Sequence, residues 1–409
     1  MNHRLRGKLP RAYTRRDEGA TIEDQRDRRL GHGIGRAALL ALVALLMASC
    51  SDDAALPGDD PADDAGSSTD ASEDGSADTE PSFVEVENPR RSEDDFHSGV
   101  AVLAYGNEGV RTFREKSAAA LDRLAELRVN SVSLVFPLFQ DDWRATEIGT
   151  DPERTPSEEN IEAFVEEAKR RGFTVMLRPT LDEESLTPDG KWRGSIEPAD
   201  LDAWFSSYGR VMTIYGELAA SADADVLAIG TELTSLHDER DRWRELIRDA
   251  REVFDGQITY ATNWDAIAPA YVPSFIGALD FLSVDAFFPL EVADGADVGA
   301  IARGWRPWLR QLRNIGPPLE KIVFTEVGVR AQEGAYRKPY AWQHAGAASP
   351  QTQRRYYAAT CESVAQRIGG LYWWVVDIHH PTEAELLEDF SPLGKPAERE
   401  IARCFQGLR

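Results

Sequence analysis

Eight short apolar runs, each followed by a stretch with helical spacing, constrain this chain more than any other feature. The strand-like runs fall at 99–105, 131–136, 173–178, 226–232, 258–261, 281–285, 321–326 and 371–376 and are rich in Val, Ile, Leu and Phe. Runs of that length and composition fit strands buried on both faces. Between and after them, apolar residues recur every three or four positions, predicting helices near 112–128, 157–171, 199–221, 239–254, 269–276, 298–313, 351–367 and 397–406. Ser157 stands where the second helix needs an N-cap. Eight βα repeats predict one α/β domain built as a closed parallel (β/α)8 barrel. An open doubly wound sheet would present a glycine-rich nucleotide loop after the first strand. The sequence there, Tyr105-Gly-Asn-Glu-Gly-Val110, lacks that fingerprint.

The segment before the barrel has a different character. Residues 37–49 form an uncharged apolar run of 13, too short for a membrane-spanning helix, which needs about 20. Ten basic and five acidic residues precede it, as in an export signal. The run ends Met47-Ala48-Ser49-Cys50, which resembles a bacterial lipobox and implies lipidation of Cys50. A lipid there anchors a chain without a spanning helix. Residues 50–95 are mostly Asp, Glu, Ser, Gly, Ala and Pro and cannot bury enough apolar surface to fold, so they read as an extended acidic tether. The expected organisation is a lipoprotein signal peptide over 1–49, a tether over 50–95 and a catalytic barrel over 96–409, exported and held at the cell envelope. The chain as a whole carries a formal charge of −24, which argues against nucleic acid as a partner. Cys361 and Cys404 fall on predicted helices; a disulfide and two separate thiols both stand open.

Barrel enzymes place their chemistry where strands end and loops begin. Glu232, Asp285 and Glu326 stand at the ends of the fourth, sixth and seventh strand-like runs. Strands four and seven face each other across a barrel mouth. Their glutamates can approach to about 5–5.5 Å, the spacing of a retaining glycosidase, with one carboxyl protonated and the other ionised. Trp192, Trp264, Trp342 and Phe287 fall in loops on the same side, and Trp373 and Trp374 in the last strand. Aromatic faces suit the flat CH faces of sugars. Arg178, Asp182, Asn263, Asp265 and Asp285 are the polar candidates beside them. No His/Cys cluster has metal-binding spacing.

The stretches Ile229-Gly-Thr-Glu-Leu233, Tyr260-Ala-Thr-Asn-Trp-Asp265, Ser283-Val-Asp-Ala-Phe-Phe-Pro-Leu290 and Phe324-Thr-Glu-Val-Gly328 resemble glycoside hydrolase family 113 in order and context. Thr155-Pro-Ser157, Leu177-Arg-Pro179, Lys191-Trp-Arg-Gly194 and Trp204-Phe-Ser-Ser-Tyr208 are similar to it as well. The resemblance implies a TIM barrel of clan A, retaining chemistry without a cofactor, and β-1,4-mannan as a substrate class. It implies Glu232 as general acid/base and Glu326 as nucleophile. Two positions depart from the clan. Thr231 stands where Asn is common before the acid/base, and Phe287 and Phe288 stand nearest to a frequent Tyr. Both weaken expected hydrogen bonds and keep open a barrel lipoprotein that binds glycans without cleaving them. The expected partners are a polysaccharide or oligosaccharide and, through Cys50, a membrane; a monomer is expected.

Overall fold

The computed structural model describes residues 96–267, 272–342 and 346–408; the signal peptide, Cys50 and the tether expected over 1–95 lie outside them. Eight strands, β1 (His97–Leu103), β2 (Ser131–Leu138), β3 (Thr174–Leu181), β4 (Val226–Thr231), β5 (Gln257–Asn263), β6 (Leu282–Asp285), β7 (Ile322–Val327) and β8 (Gly370–Asp377), close in sequence order into one barrel. Every neighbouring pair is parallel, and β8 closes on β1 through Ser98 opposite Leu371 and Val100 opposite Trp373. The expected (β/α)8 barrel is therefore the fold. Its strands lack polar alternation because one face meets the barrel interior and the other the helices. All eight residues of β2, for example, are buried.

The helices are α1 (Val110–Glu126), α2 (Glu158–Arg170), α3 (Leu201–Ser221), α4 (Arg240–Val253), α5 (Val298–Gly304), α6 (Arg306–Leu312), α7 (Pro350–Thr360) and α8 (Pro396–Gly407). Ser157 caps α2 as the sequence predicts, its side chain accepting from the Asn160 N–H. Two helices differ from expectation. The helix predicted at 298–313 is broken into α5 and α6. Pro307 has no N–H to give to the carbonyl four residues back, and its ring crowds the preceding turn. The helix predicted at 269–276 is replaced, among the described residues, by 3-10 turns at Trp264–Ile267 and Ile276–Ala278. After α7 the chain widens into a π turn over Cys361–Ala365. There Cys361 joins Cys404 of α8 in a disulfide with 5.6 Å between the Cα atoms, which clamps the two elements bracketing β8.

The pairing registers slip toward the C-terminal ends of the strands. Irregularities lie between Ala228 and Thr231 in β4, between Val284 and Asp285 in β6, and between Phe324 and Val327 in β7. Such slips bend a strand and re-aim its side chains. A fourth lies between Val100 and Val102 of β1, and the slip in β6 sets Asp285 directly opposite Glu326. No described helix is long and apolar enough to cross a membrane.

Candidate active site

Glu232 is the first residue beyond β4 and adopts φ 55°, the left-handed region that non-glycine residues enter at a cost of about 1–3 kcal/mol. The surrounding contacts hold it there. Its N–H donates to the Ala261 carbonyl, its own carbonyl accepts from Thr234, and the Leu233 N–H donates to the Tyr260 hydroxyl, each at 2.8 Å. His237 closes the same turn through the Tyr260 hydroxyl at 3.0 Å. Gly230 is required two residues earlier, because a Cβ there would stand 2.7 Å from the Tyr260 ring. The Ile229-Gly-Thr-Glu motif thus lets an aromatic ring cross the strand and set the turn that projects Glu232.

Under the acids lies Arg178 of β3, fully buried. Its Nε donates to the Thr231 hydroxyl at 3.1 Å, and its Nη2 meets Asp285 Oδ2 at 2.6 Å and Glu326 Oε1 at 2.7 Å. Thr231 is therefore the hydroxyl that receives Arg178. The Thr325 hydroxyl donates to the other Asp285 oxygen at 2.9 Å. One guanidinium so serves two buried carboxylates. Burial pushes Asp285 up to about 7 against the pull of Arg178, with Glu232 adding to the rise. Burial first, then the Asp285 charge, pushes Glu326 well above the usual carboxylate range. Burial disfavours the Arg178 charge, but the three surrounding carboxylates more than offset it.

Glu232 has a different partner. Arg193 reaches in from the loop after β3 and places Nη1 2.8 Å from Glu232 Oε2. Glu232 therefore meets a guanidinium from a loop, whereas Glu326 shares the buried Arg178 with Asp285.

The remaining candidates divide into rim, wall and core. Asp182 accepts from the Tyr105 hydroxyl at 2.8 Å and from the Glu184 N–H at 2.9 Å. Asn263 is buried and accepts from the Trp264 N–H. Trp264 stacks on Tyr340 at 5.4 Å between centroids and 11° between planes. Trp374, Phe287, Trp342 and Phe390 pack edge to face into one wall. Trp192 is half-buried with its ring folded over Gly194, and Asp265 is exposed at the rim. Trp373 leaves the candidate set. Alternation along β8 turns it outward, where it stacks on Tyr357 of α7 at 3.9 Å and is fully buried in the helix layer. Phe288 also turns away, packing on Trp308 and Trp305.

Sequence reasoning missed Arg193, Glu183, Tyr105 and Thr325. Arg193 lay in the Lys191-Trp-Arg-Gly stretch, and a basic residue there had no visible partner until the loop folded back. Among the described residues, no group of three or more His, Cys, Asp or Glu could hold a metal ion.

The Glycoside Hydrolase Family 113 model matches residues 103–395. Among solved structures, a β-mannanase from Alicyclobacillus acidocaldarius in complex with ManMIm is 26% identical, with a TM-score of 0.64 over 77% of this chain and 98% of that one. A β-1,4-mannanase of the same family is 25% identical, with a TM-score of 0.66 over 76% of this chain and 99% of that one. A search of curated proteins finds no match.

The Arg178 cluster predicts a pH dependence of stability. An acid whose folded pKa lies above its unfolded value of about 4 binds more protons folded than unfolded in the interval between, so stability falls as pH rises through it. For Asp285 the interval runs from about 4 to about 7. Urea unfolding across that range should show declining stability, and D285N, which cannot ionise, should flatten the decline. An unchanged slope in D285N would show that Asp285 does not carry it.

Proposed function

The chain belongs to glycoside hydrolase family 113 and is a retaining β-glycoside hydrolase, and on that premise we propose that it cleaves β-1,4-mannan with Glu326 as nucleophile and Glu232 as acid/base. The observation that supports this most is the pair itself. Glu232 and Glu326 stand at the C-terminal ends of β4 and β7 and are linked through Arg178, which pairs with Glu326 at 2.7 Å and donates to Thr231, the residue before Glu232, at 3.1 Å. In the first step a Glu326 carboxylate oxygen bonds to the anomeric carbon. The glycosidic bond breaks as its oxygen takes the proton of Glu232. In the second step Glu232 takes a proton from water, the water oxygen bonds to the anomeric carbon, and the carboxylate of Glu326 is released. The charge on the nucleophile depends on Arg178, 2.7 Å away. A proton held by Asp285 leaves that guanidinium to Glu326 alone.

The aromatic wall of Trp374, Phe287 and Trp342 and the stacked Trp264 and Tyr340 supply apolar faces for sugar rings. Asp182, Asn263 and Asp265 supply polar atoms around them, whereas Arg178 and Asp285, expected beside the sugar, are fully buried on one another beneath the acids. The likeness to a solved β-mannanase and a solved β-1,4-mannanase of the same family supports mannan as the substrate. The enzyme works as an exported monomer, tethered to the cell envelope through lipid on Cys50 and the acidic segment behind it.

Reducing-end release by the purified protein from mannan, glucomannan, cellulose and xylan tests the substrate, with mannan expected to be cleaved fastest. E326A and E232A should each lower kcat by at least ~10^3 while retaining the wild-type fold by circular dichroism. Turnover surviving both changes removes the assignment. In the producing cell, C50S should move the protein from the membrane fraction to the soluble fraction, and an unchanged distribution would overturn the anchor.

A further inference from the structure

The loop between β3 and α3 holds an arrangement that the two-carboxylate mechanism leaves unexplained. Arg193 opens a short 3-10 turn, Arg193–Ser195, and lies between two acids. Its Nε donates to the Leu181 carbonyl at 2.8 Å and stands 3.3 Å from Glu183 Oε1, while Nη1 is 2.8 Å from Glu232 Oε2. Its backbone N–H also points at Glu183 Oε1, at 3.3 Å. Glu183 is 1% exposed, and its second oxygen, Oε2, is buried without a hydrogen-bond partner. A buried carboxylate with an unsatisfied oxygen is a costly way to brace a loop. A glutamine would accept from the same backbone N–H without the desolvated charge. What the carboxylate adds is a negative charge competing with Glu232 for one guanidinium.

We propose that Arg193 and Glu183 are positioning residues that set the proton affinity of Glu232, Arg193 favouring its ionised form and Glu183 opposing that pull. The proposal rests on Glu232 as the acid/base. That role requires a proton before the first step and a charge before the second. Arg193 alone at 2.8 Å would hold Glu232 ionised throughout. With Nε anchored between Leu181 and Glu183, the Nη end can pair with Glu232 once it has given up its proton, and Glu183 retains the guanidinium when Glu232 is protonated. The other groups facing Glu232 are Arg178 of β3, Tyr260 of β5 with His237 beside it, Asp265 in the turn after β5, Asp285 of β6 and Glu326 of β7. Behind Arg193 stand Tyr105 and Asp182. Of all these, Arg193 is the charged group in direct contact with a Glu232 side-chain oxygen. Burial raises the Glu183 carboxyl against the pull of Arg193, with the Glu232 charge contributing, as expected of two acids contesting one cation.

The test measures the alkaline limb of kcat/KM, which reports the essential acid of the free enzyme. In R193Q the limb should move to higher pH by roughly one unit, because the cation favouring ionisation is gone. In E183Q it should move to lower pH, because the competing anion is gone. R193K, which keeps the charge, should restore most of the wild-type position. A merely structural role lowers activity or Tm and leaves the limb in place. No movement in R193Q, or movement of R193Q and E183Q in the same direction, overturns the proposal. If E183Q does not fold, R193Q against R193K decides: a rise in the first that the second abolishes supports the proposal, and the same limb in both overturns it. A direct titration separates this claim from the assigned activity. In the full chain with 13C-labelled glutamate carboxyls, the Glu232 signal, identified by its loss in E232Q, should titrate higher in R193Q than in wild type. That measurement decides the Arg193 claim even if none of the four polysaccharides is hydrolysed, a result that would instead remove mannan as the substrate.

Discussion

A guanidinium sealed into the mouth of the barrel ties four strands together. Arg178 starts from β3, donates to Thr231 at the end of β4, and pairs with Asp285 of β6 and Glu326 of β7. An isolated charge at that depth would be prohibitively costly, and so would the two carboxylates without it. The three groups are therefore mutually dependent, and any rearrangement of one strand end disturbs the others. This constraint gives the site its definition: the slips in register that bring Asp285 opposite Glu326 place both acids on one guanidinium.

The same cluster explains why the two candidate catalytic glutamates are not equivalent. Glu326 lies within the rigid ladder of β7, buried and contesting Arg178 with Asp285. Glu232 lies beyond its strand, on a left-handed residue held by Tyr260 and Ala261, and meets a loop arginine. A nucleophile benefits from a fixed position, since it must meet the anomeric carbon at bonding distance. An acid/base benefits from a partner on a loop, since its charge alternates within one turnover. The difference in environment matches the difference in role.

How much of this was legible in the sequence follows from what each feature depends on. The eight strands were readable because strands buried on both faces appear as unbroken apolar runs. The acids at their ends were readable because a charge following such a run is conspicuous. Helix 298–313 was misread because its spacing continues through Pro307, which breaks it. Trp373 and Trp374 were indistinguishable by type, and only the facing direction in β8 sends one to Tyr357 and the other to Phe287. The Cys361–Cys404 link and the Arg193–Glu183–Glu232 contacts depend on which surfaces meet after folding, and local spacing carries no record of that.

The central claim is that Glu326 forms the covalent bond to sugar. An activated 2-deoxy-2-fluoro mannobiosyl fluoride, whose glycosyl-enzyme forms readily and hydrolyses slowly, tests it by peptide mass spectrometry after digestion. The account predicts a stoichiometric adduct on Glu326 that persists in E232A, because fluoride leaves without protonation. An adduct on Glu232 or Asp285, or no adduct from an enzyme that turns over mannan, would contradict it.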